Sequence, residues 1–340
     1  MTKIHFPHES PPDAGEVIEI ADGILWIRLP LPMALDHVNI YALDDGDGWT
    51  IIDAGIDTAK SRAVWENLLA GPLSGKPINR ILVTHYHPDH IGLAGWLQDK
   101  GAELWTTRTT WLLGRMLVLD EQAEWPKEAA NFYRAAGMDN QLFERRRAAR
   151  PFNFADVVAP LPLGYRRISE GDIVTAGGRR WQVHIGHGHA PEHATLWSLD
   201  DDLVIAGDQI IPGISSNLGV HPTEPDHDPV AEWLASCEHF ADLAEDRHFA
   251  LPGHKLPFTG VPERLKQLIE NHHGALDRLL DYLVTPRTGG ECFVPLFKRE
   301  ISEGEYSLAL AEAIGHLNHL HQAGKVNRET RDGIWHWSRI

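Results

Sequence analysis

The segment Thr84-His85-Tyr86-His87-Pro88-Asp89-His90 constrains this chain more than any other. It continues Arg80-Ile-Leu-Val-Thr84, a short apolar run of the kind that forms a buried strand, so four side chains able to ligate a metal leave one strand end together. In a compact loop His85 and His87 can face one centre while Asp89 and His90 turn towards a second. Imidazole and carboxylate together suit zinc and need no thiolate. A solvated loop with incidental histidines is the competing reading, and placement directly after a buried strand argues against it.

Three further segments supply what a two-metal site would still require. Gly186-His187-Gly188-His189-Ala190-Pro191-Glu192-His193 is a second histidine cluster, Ala206-Gly207-Asp208 sets an acid after the apolar Leu203–Ile205 run, and Leu251-Pro252-Gly253-His254 ends another short apolar stretch. Each alone is weak, because a histidine at a strand end is usually just hydrogen-bonded. Their order and shared placement are what carry weight. The chain holds 21 His but only 2 Cys, so Cys237 and Cys292 can build neither a disulfide framework nor a cysteine zinc site.

The rest of the pattern is layered α/β. Glu16–Leu29, Val38–Leu43 and Trp49–Asp53 read as strands, and a helix is predicted from about Thr58 to Ala70. The chain after His90 is helical in pattern as far as Lys100, and 106–150 is a long helical stretch without strand signals. Strands resume at Tyr165–Ile168, Ile173–Thr175, Arg180–His184, Ala194–Leu199 and Leu203–Ala206. Asp228-Pro229 starts a helix to about Phe240, and another is predicted from Pro262 to Leu283, with His272 and His273 expected on its surface. Glu305–Gln322 is amphipathic, Gly324 is its expected C-cap, and Lys325–Trp337 alternates like a hairpin.

Taken together, the motifs resemble those of the metallo-β-lactamase superfamily. Its H-x-H-x-D-H stands as His85, His87, Asp89 and His90, its G-H-x-P-G-H as Gly188-His189-Ala190-Pro191-Glu192-His193, its G-D as Gly207-Asp208 and its P-G-H as Pro252-Gly253-His254. The family's early acid before glycine is matched by Asp53-Ala54-Gly55, and the resemblance spans about residues 16–260. It implies a four-layer αββα sandwich forming a catalytic domain over 1–286, with a lid-like helical insertion at about 106–150. The tail, 287–340, resembles the winged-helix-like C-terminal unit of one hydrolase branch.

By that resemblance His85, His87 and His189 hold one metal, Asp89, His90 and His254 hold the other, Asp208 bridges them, and Asp53 orients a ligand imidazole. The implied cofactor is two Zn2+, with iron or manganese also compatible. The implied activity is hydrolysis of an ester, thioester, lactone or β-lactam carbonyl by a metal-bridging hydroxide, with Asp89 and Asp208 as catalytic carboxylates. Two positions depart from the family pattern: Glu192 replaces a usual Gly, and Gly92-Leu93 replaces a frequent Gly-Gly. The register set by Pro191 favours His189 over His187 or His193 as ligand. His87 in place of an acid argues against the di-iron electron-transfer branch, and the lack of a Cys ligand argues against a lactamase with Cys in its second site.

Substrate and partners are read from the remainder. Ninety-eight residues separate His90 from His189, so Trp105–Arg150 is a candidate lid. Trp105, Trp111, Leu112, Leu113, Met116, Leu117, Trp125, Phe132 and Tyr133 either wall an apolar cleft for a small acyl substrate or simply pack the insertion. Glu144-Arg145-Arg146-Arg147-Ala148-Ala149-Arg150 either receives an anion, such as a carboxylate or coenzyme A phosphates, or is a solvated face. His37, His184, His221 and His227 are expected to be incidental.

The hydrolase branch that the tail resembles includes an endoribonuclease, which makes a phosphodiesterase or ribonuclease one alternative. A mononuclear iron persulfide dioxygenase, which shares much of the motif, is another. With 31 Lys+Arg against 48 Asp+Glu the formal charge is −17, which opposes gripping nucleic acid. Six basic residues against six acids in 296–340 leave the tail no better suited. The tail reads instead as a packing or homodimer element. No apolar stretch reaches membrane-spanning length and no signal-like segment opens the chain, so the expectation is a cytoplasmic enzyme with no membrane partner.

Overall fold

The structure, a computed structural model, describes residues 3–340. Strand β1 (Val17–Ala21) pairs antiparallel with β2 (Ile24–Pro30), turning at Asp22-Gly23, so the alternation over 16–29 is a hairpin. The chain continues through β3 (His37–Asp44), β4 (Trp49–Ile52), α1 (Ala59–Ala70) and β5 (Ile78–Leu82). Two short helices, α2 (Pro88–Ile91) and α3 (Ala94–Gln98), follow, and then β6 (Glu103–Thr106). The insertion comprises α4 (Arg108–Leu119), α5 (Lys127–Ala135) and α6 (Asn140–Arg147), after which β7 (Arg166–Arg167) closes a seven-stranded sheet in sequential order. It is antiparallel from β1 to β4 and parallel from β4 to β7.

The second sheet holds β8 (Ile173–Ala176), β9 (Arg179–Gly186), β10 (His193–Ser198), β11 (Leu203–Gly207), β12 (Phe249–Pro252) and β13 (Phe258–Thr259), with α7 (Pro229–Leu243) crossing over between β11 and β12. Beyond it lie α8 (Val261–Tyr282), α9 (Phe293–Phe297), α10 (Tyr306–Gln322) and a terminal hairpin of β14 (Val326–Arg331) and β15 (Ile334–Arg339).

Period-two alternation divides each strand between two cores. On β2 and β3, Ile24, Trp26, Tyr41 and Leu43 face the second sheet and meet Trp181, Val183, Leu196 and Leu251. Their neighbours Ile27, Leu29, Val38 and Ile40 face outward and pack with Trp65 and Leu68 of α1. On the far side, Val204 and Ala206 of β11 pack with Trp233, Phe240, Leu265 and Leu279 of α7 and α8. Helix, sheet, sheet, helix is the expected four-layer sandwich. Among the described residues no helix is long and apolar enough to cross a membrane.

The segment after 286 shares that last core, with Leu310, Ile314, Leu317 and Trp337 in it. Helix α10 ends in paired bonds, Gly324 N–H to His321 O and Lys325 N–H to Leu320 O, with Gly324 at φ +68 as the expected C-cap requires. The hairpin turns on Asp332-Gly333, both at positive φ, which suits a two-residue turn. Asp228 caps α7 through the Ala231 N–H and also meets His319 Nδ1 at 3.1 Å, tying α10 to the start of α7.

Two alternatives that the sequence leaves open for the insertion are decided by its packing. Trp111 stacks on Tyr165 at 4.8 Å, Trp105 lies between the guanidiniums of Arg80 and Arg166, and Trp125, Phe132 and Tyr133 pack on the core of α7, α8 and α10. This packing anchors the insertion, with Trp125 also bordering a cleft beside Phe143, Arg147 and Arg150, while Leu112 and Met116 are exposed. The arginine run is occupied internally: Arg145 pairs with Glu303, Arg146 donates to Glu303 O, Arg147 meets Glu144, and Arg150 pairs with Glu121 and Asp156. Neighbours supplied by the turn before α10 and the loop at 121 pair with much of this charge.

His272 is likewise not a surface group. It is 2% exposed, with Nε2 2.8 Å from Ser215 Oγ and Nδ1 3.2 Å from His316 Nε2, while His316 Nδ1–H donates to Glu312 O. Burial, reinforced for His272 by the His316 ring, pushes His272 down to about 3, and burial pushes His316 down to about 4. Both folded-state values lie below the ordinary 6.5, so the unfolded chain binds more protons. Their contribution is therefore complete above about pH 6.5 and is lost as pH falls towards 4. Metal-free protein should lose roughly 1–2 kcal/mol per histidine between pH 7 and pH 5 in denaturant titrations. A His272→Gln/His316→Gln variant should lose correspondingly less, and an equal loss would refute the assignment.

Candidate metal centre

The site lies where strands of both sheets end, the usual position for chemistry in open α/β layers. Asp53 follows β4, the 84–90 loop follows β5, His189 follows β9, Asp208 follows β11 and His254 follows β12. Every ligand expected from the sequence arrives at one place. The ligating atoms of His85, His87 and His189 lie within 4.8 Å of one another, as do those of Asp89, His90 and His254, and a further set joins His85, His90 and Asp208.

Outer hydrogen bonds fix the tautomers. Thr84 Oγ donates to Asp53 and so accepts from His85 Nδ1, 3.0 Å away, leaving His85 Nε2 as a bare lone pair. His90 Nδ1 is 2.8 Å from Asp53 Oδ2, His189 Nδ1 donates to Asn217 O at 2.9 Å, and His254 Nδ1 donates to His37 O at 2.7 Å. Each of these rings therefore presents Nε2 to the centre. His87 presents Nδ1, 3.0 Å from both His85 Nε2 and His189 Nε2.

One proton on His87 can satisfy only one of those two contacts, so three ring nitrogens converge with fewer protons than they need. Zinc–nitrogen bonds of about 2.0–2.1 Å put tetrahedral ligands roughly 3.3 Å apart, only slightly wider than the 3.0 Å separations found here. A second sign is His90 Nε2 and Asp208 Oδ1, both buried, 3.4 Å apart, and lacking a hydrogen-bond partner among the described residues. Two orphaned polar atoms in so polar a site fit a divalent cation.

The electrostatics divide the site. Burial, with the neighbouring rings, pushes His85 and His87 well below the usual histidine range, which keeps their lone pairs free. Burial also opposes charge on His90, but Asp208, Asp89 and Asp53 outweigh it and raise that ring. Conversely, His254 and His90 hold Asp208 ionised against the cost of burial. The half of the site around His90 and His254 is thus an anionic pocket.

Some participants escaped sequence reasoning. His193 is not placed as a ligand: its Nε2 accepts the Asp208 N–H at 3.0 Å and its ring stacks on His85 at 4.6 Å, so it sets the Asp208 backbone. His37, expected to be incidental, holds His254 through its carbonyl and accepts the Lys255 N–H on Nε2. Glu192 sits at φ +50, a conformation glycine adopts freely, and its carboxylate accepts the Thr109 N–H at the start of α4. The departure from the family pattern thereby anchors the insertion to the site loop. The Tyr86 ring lies 4.7 Å from that of His87 and 6.1 Å from that of Phe154, which is 6.2 Å from Phe152.

A four-layer sandwich with adjoining imidazole and carboxylate donor sets at its strand ends defines a metal-dependent hydrolase scaffold. Comparison with known proteins agrees: residues 33–254 match the metallo-beta-lactamase superfamily, and residues 276–340 match the metallo-beta-lactamase-like C-terminal domain. The chain belongs to the metallo-beta-lactamase superfamily and is a metallo-hydrolase. A protein of Bacillus subtilis called probable metallo-hydrolase YqjP is 27% identical over 306 residues, 87% of this chain and 92% of that one. The Gallus gallus acyl-coenzyme A thioesterase MBLAC2 is 26% identical over 266 residues, 74% of this chain and 84% of that one. Among solved structures, a beta-lactamase domain protein from Burkholderia ambifaria superposes with a TM-score of 0.91 at 36% identity, covering 99% of this chain and 98% of that one.

Proposed function

We propose that the protein is a dinuclear-zinc hydrolase of acyl thioesters, with esters and lactones as chemically related substrates. The observation that carries this reading is the placement of Asp208. One buried carboxylate lies 3.4 Å from His90 Nε2, 3.5 Å from His189 Nε2 and 3.2 Å from His254 Nε2, between the two donor sets. In this reading His85, His87 and His189 would hold one zinc, Asp89, His90 and His254 would hold the other, and Asp208 would serve both. A zinc pair bound there supplies an acidified water and a Lewis acid for the carbonyl oxygen.

The chain's own groups orient and shuttle. Asp89, with its side chain 19% exposed against 8% for Asp208, is the more accessible carboxylate. It is placed to take a proton from the attacking water and return it to the departing sulfur. Tyr86, Phe154 and the exposed Phe152 form an aromatic track leading outward from His87, an apolar path for an acyl chain. That track, with a thioesterase among the relatives, favours a thioester over a β-lactam.

The test joins metal analysis to a substrate panel of acyl thioesters, lactones, β-lactams, phosphodiesters and a persulfide. Two zincs per chain and hydrolysis of thioesters, abolished by chelation and restored by zinc, are expected. One iron with oxygen uptake on the persulfide would replace this reading with an oxygenase, and RNA cleavage at moderate salt would replace it with a nuclease.

A further inference from the structure

Each imidazole of the centre with an outer partner is steadied by something close to the sheets, except one. Thr84, Asp53 and the His37 carbonyl serve His85, His90 and His254. His189 instead donates to the carbonyl of Asn217, in a long connection between β11 and α7 without helix or strand. A carbonyl on such a loop is a useful anchor only if something fixes the loop.

The fixing comes from α10. Asn217 Nδ2 donates to Glu312 Oε2 at 2.7 Å and to Leu308 O at 3.2 Å, although Glu312 lies 95 residues further along the chain. The Val220 N–H donates to Ala311 O at 3.0 Å, and Gly315 leaves room for Leu218 O, which a side chain there would strike. At the other end Ser216 Oγ donates to Asp208 O at 2.5 Å. The loop is thus clamped between the Asp208 backbone and the C-terminal helix. Glu312 is half-buried, and the amide of Asn217 is its one side-chain partner among the described residues.

We infer that Glu312 and Asn217 are positioning residues, a tie through which the C-terminal segment sets His189 and so tunes the metal centre. The inference rests on the metal centre proposed above but not on its substrate. Its test needs no turnover: competition between the full-length protein and a chromophoric chelator for zinc, and the visible spectrum of the cobalt-substituted protein.

Glu312→Leu keeps bulk but removes the acceptor, and Asn217→Ala removes the donor. Each should weaken metal binding by about 10–100-fold, the usual scale for outer partners of ligands, and shift the cobalt bands. Glu312→Gln retains an acceptor oxygen and should bind metal like the unsubstituted protein. Denaturant unfolding of the metal-free forms reports whether each variant is folded; if Glu312→Leu is not, Asn217→Ala decides. Unchanged affinity and spectrum in a folded Asn217→Ala or Glu312→Leu would overturn the tie, as would equal losses for Gln and Leu at 312. Failure to hydrolyse thioesters would leave these outcomes untouched.

Discussion

Asp208→Ala should cost at least about a hundred-fold in kcat/KM on any hydrolysed substrate, the scale of removing one preorganised charged group, while the protein stays folded. The loss follows from position. Asp208 is the carboxylate shared by His90, His189 and His254, and its backbone is pinned by the bond from its N–H to His193. Removing the side chain leaves both donor sets one ligand short and takes away the charge that draws a second cation in. On the two-zinc reading, metal content should fall from two per chain towards one, because three imidazoles still serve the first set while the second also loses the charge that offsets its cation.

Folding should survive for a physical reason. In the metal-free chain Asp208 is a buried anion whose compensation comes from protonated His90 and His254, so removing it lets those rings become neutral. Asp208→Asn should behave similarly, since it keeps the shape and loses the charge. Circular dichroism and thermal unfolding of metal-free samples check the fold, and metal analysis with initial rates checks the centre. Parent-level hydrolysis by Asp208→Ala would end the two-metal reading.

The ligands were legible because metal chemistry admits few residue types and because apolar runs betray the strands that deliver them. Thr84, His85 and His90 follow an unbroken Ile-Leu-Val run, and Asp208 follows Leu-Val-Ile-Ala. The supporting groups were not legible, for the opposite reason. Asn217 and His37 touch the ligands only through backbone carbonyls, which every residue carries, so that contact leaves no trace in the sequence pattern. The insertion shows a third limit. Trp125, Phe132 and Tyr133 read the same whether they face a cleft or a core, and only the position of α10 decides. The arginine run is similar, because Glu303 lies over 150 residues away in sequence from Arg145.

Gly253→Ala should disable the site without altering any ligand. A methyl group at 253 would run into Asp208 Oδ1 and the Cε1 of His90, two groups committed to the centre. The backbone cannot retreat: Gly253 N–H donates to Gly207 O at 2.8 Å, and Gly253 O accepts from the Asn39 N–H at 2.7 Å. Relief must come from moving Asp208 or His90, and a displacement of about 1 Å at a reacting centre costs on the order of a hundred-fold in rate. Overpacking of this kind costs about 1–3 kcal/mol of stability, so the metal-free variant should unfold a few degrees earlier. Gly304→Ala is the matched control, since nothing lies within 4 Å of a methyl group there. It should leave rate, metal content and unfolding unchanged. If Gly253→Ala instead kept parent kcat/KM and bound metal normally, the close approach of Gly253 to Asp208 and His90 would not be a feature of the working site.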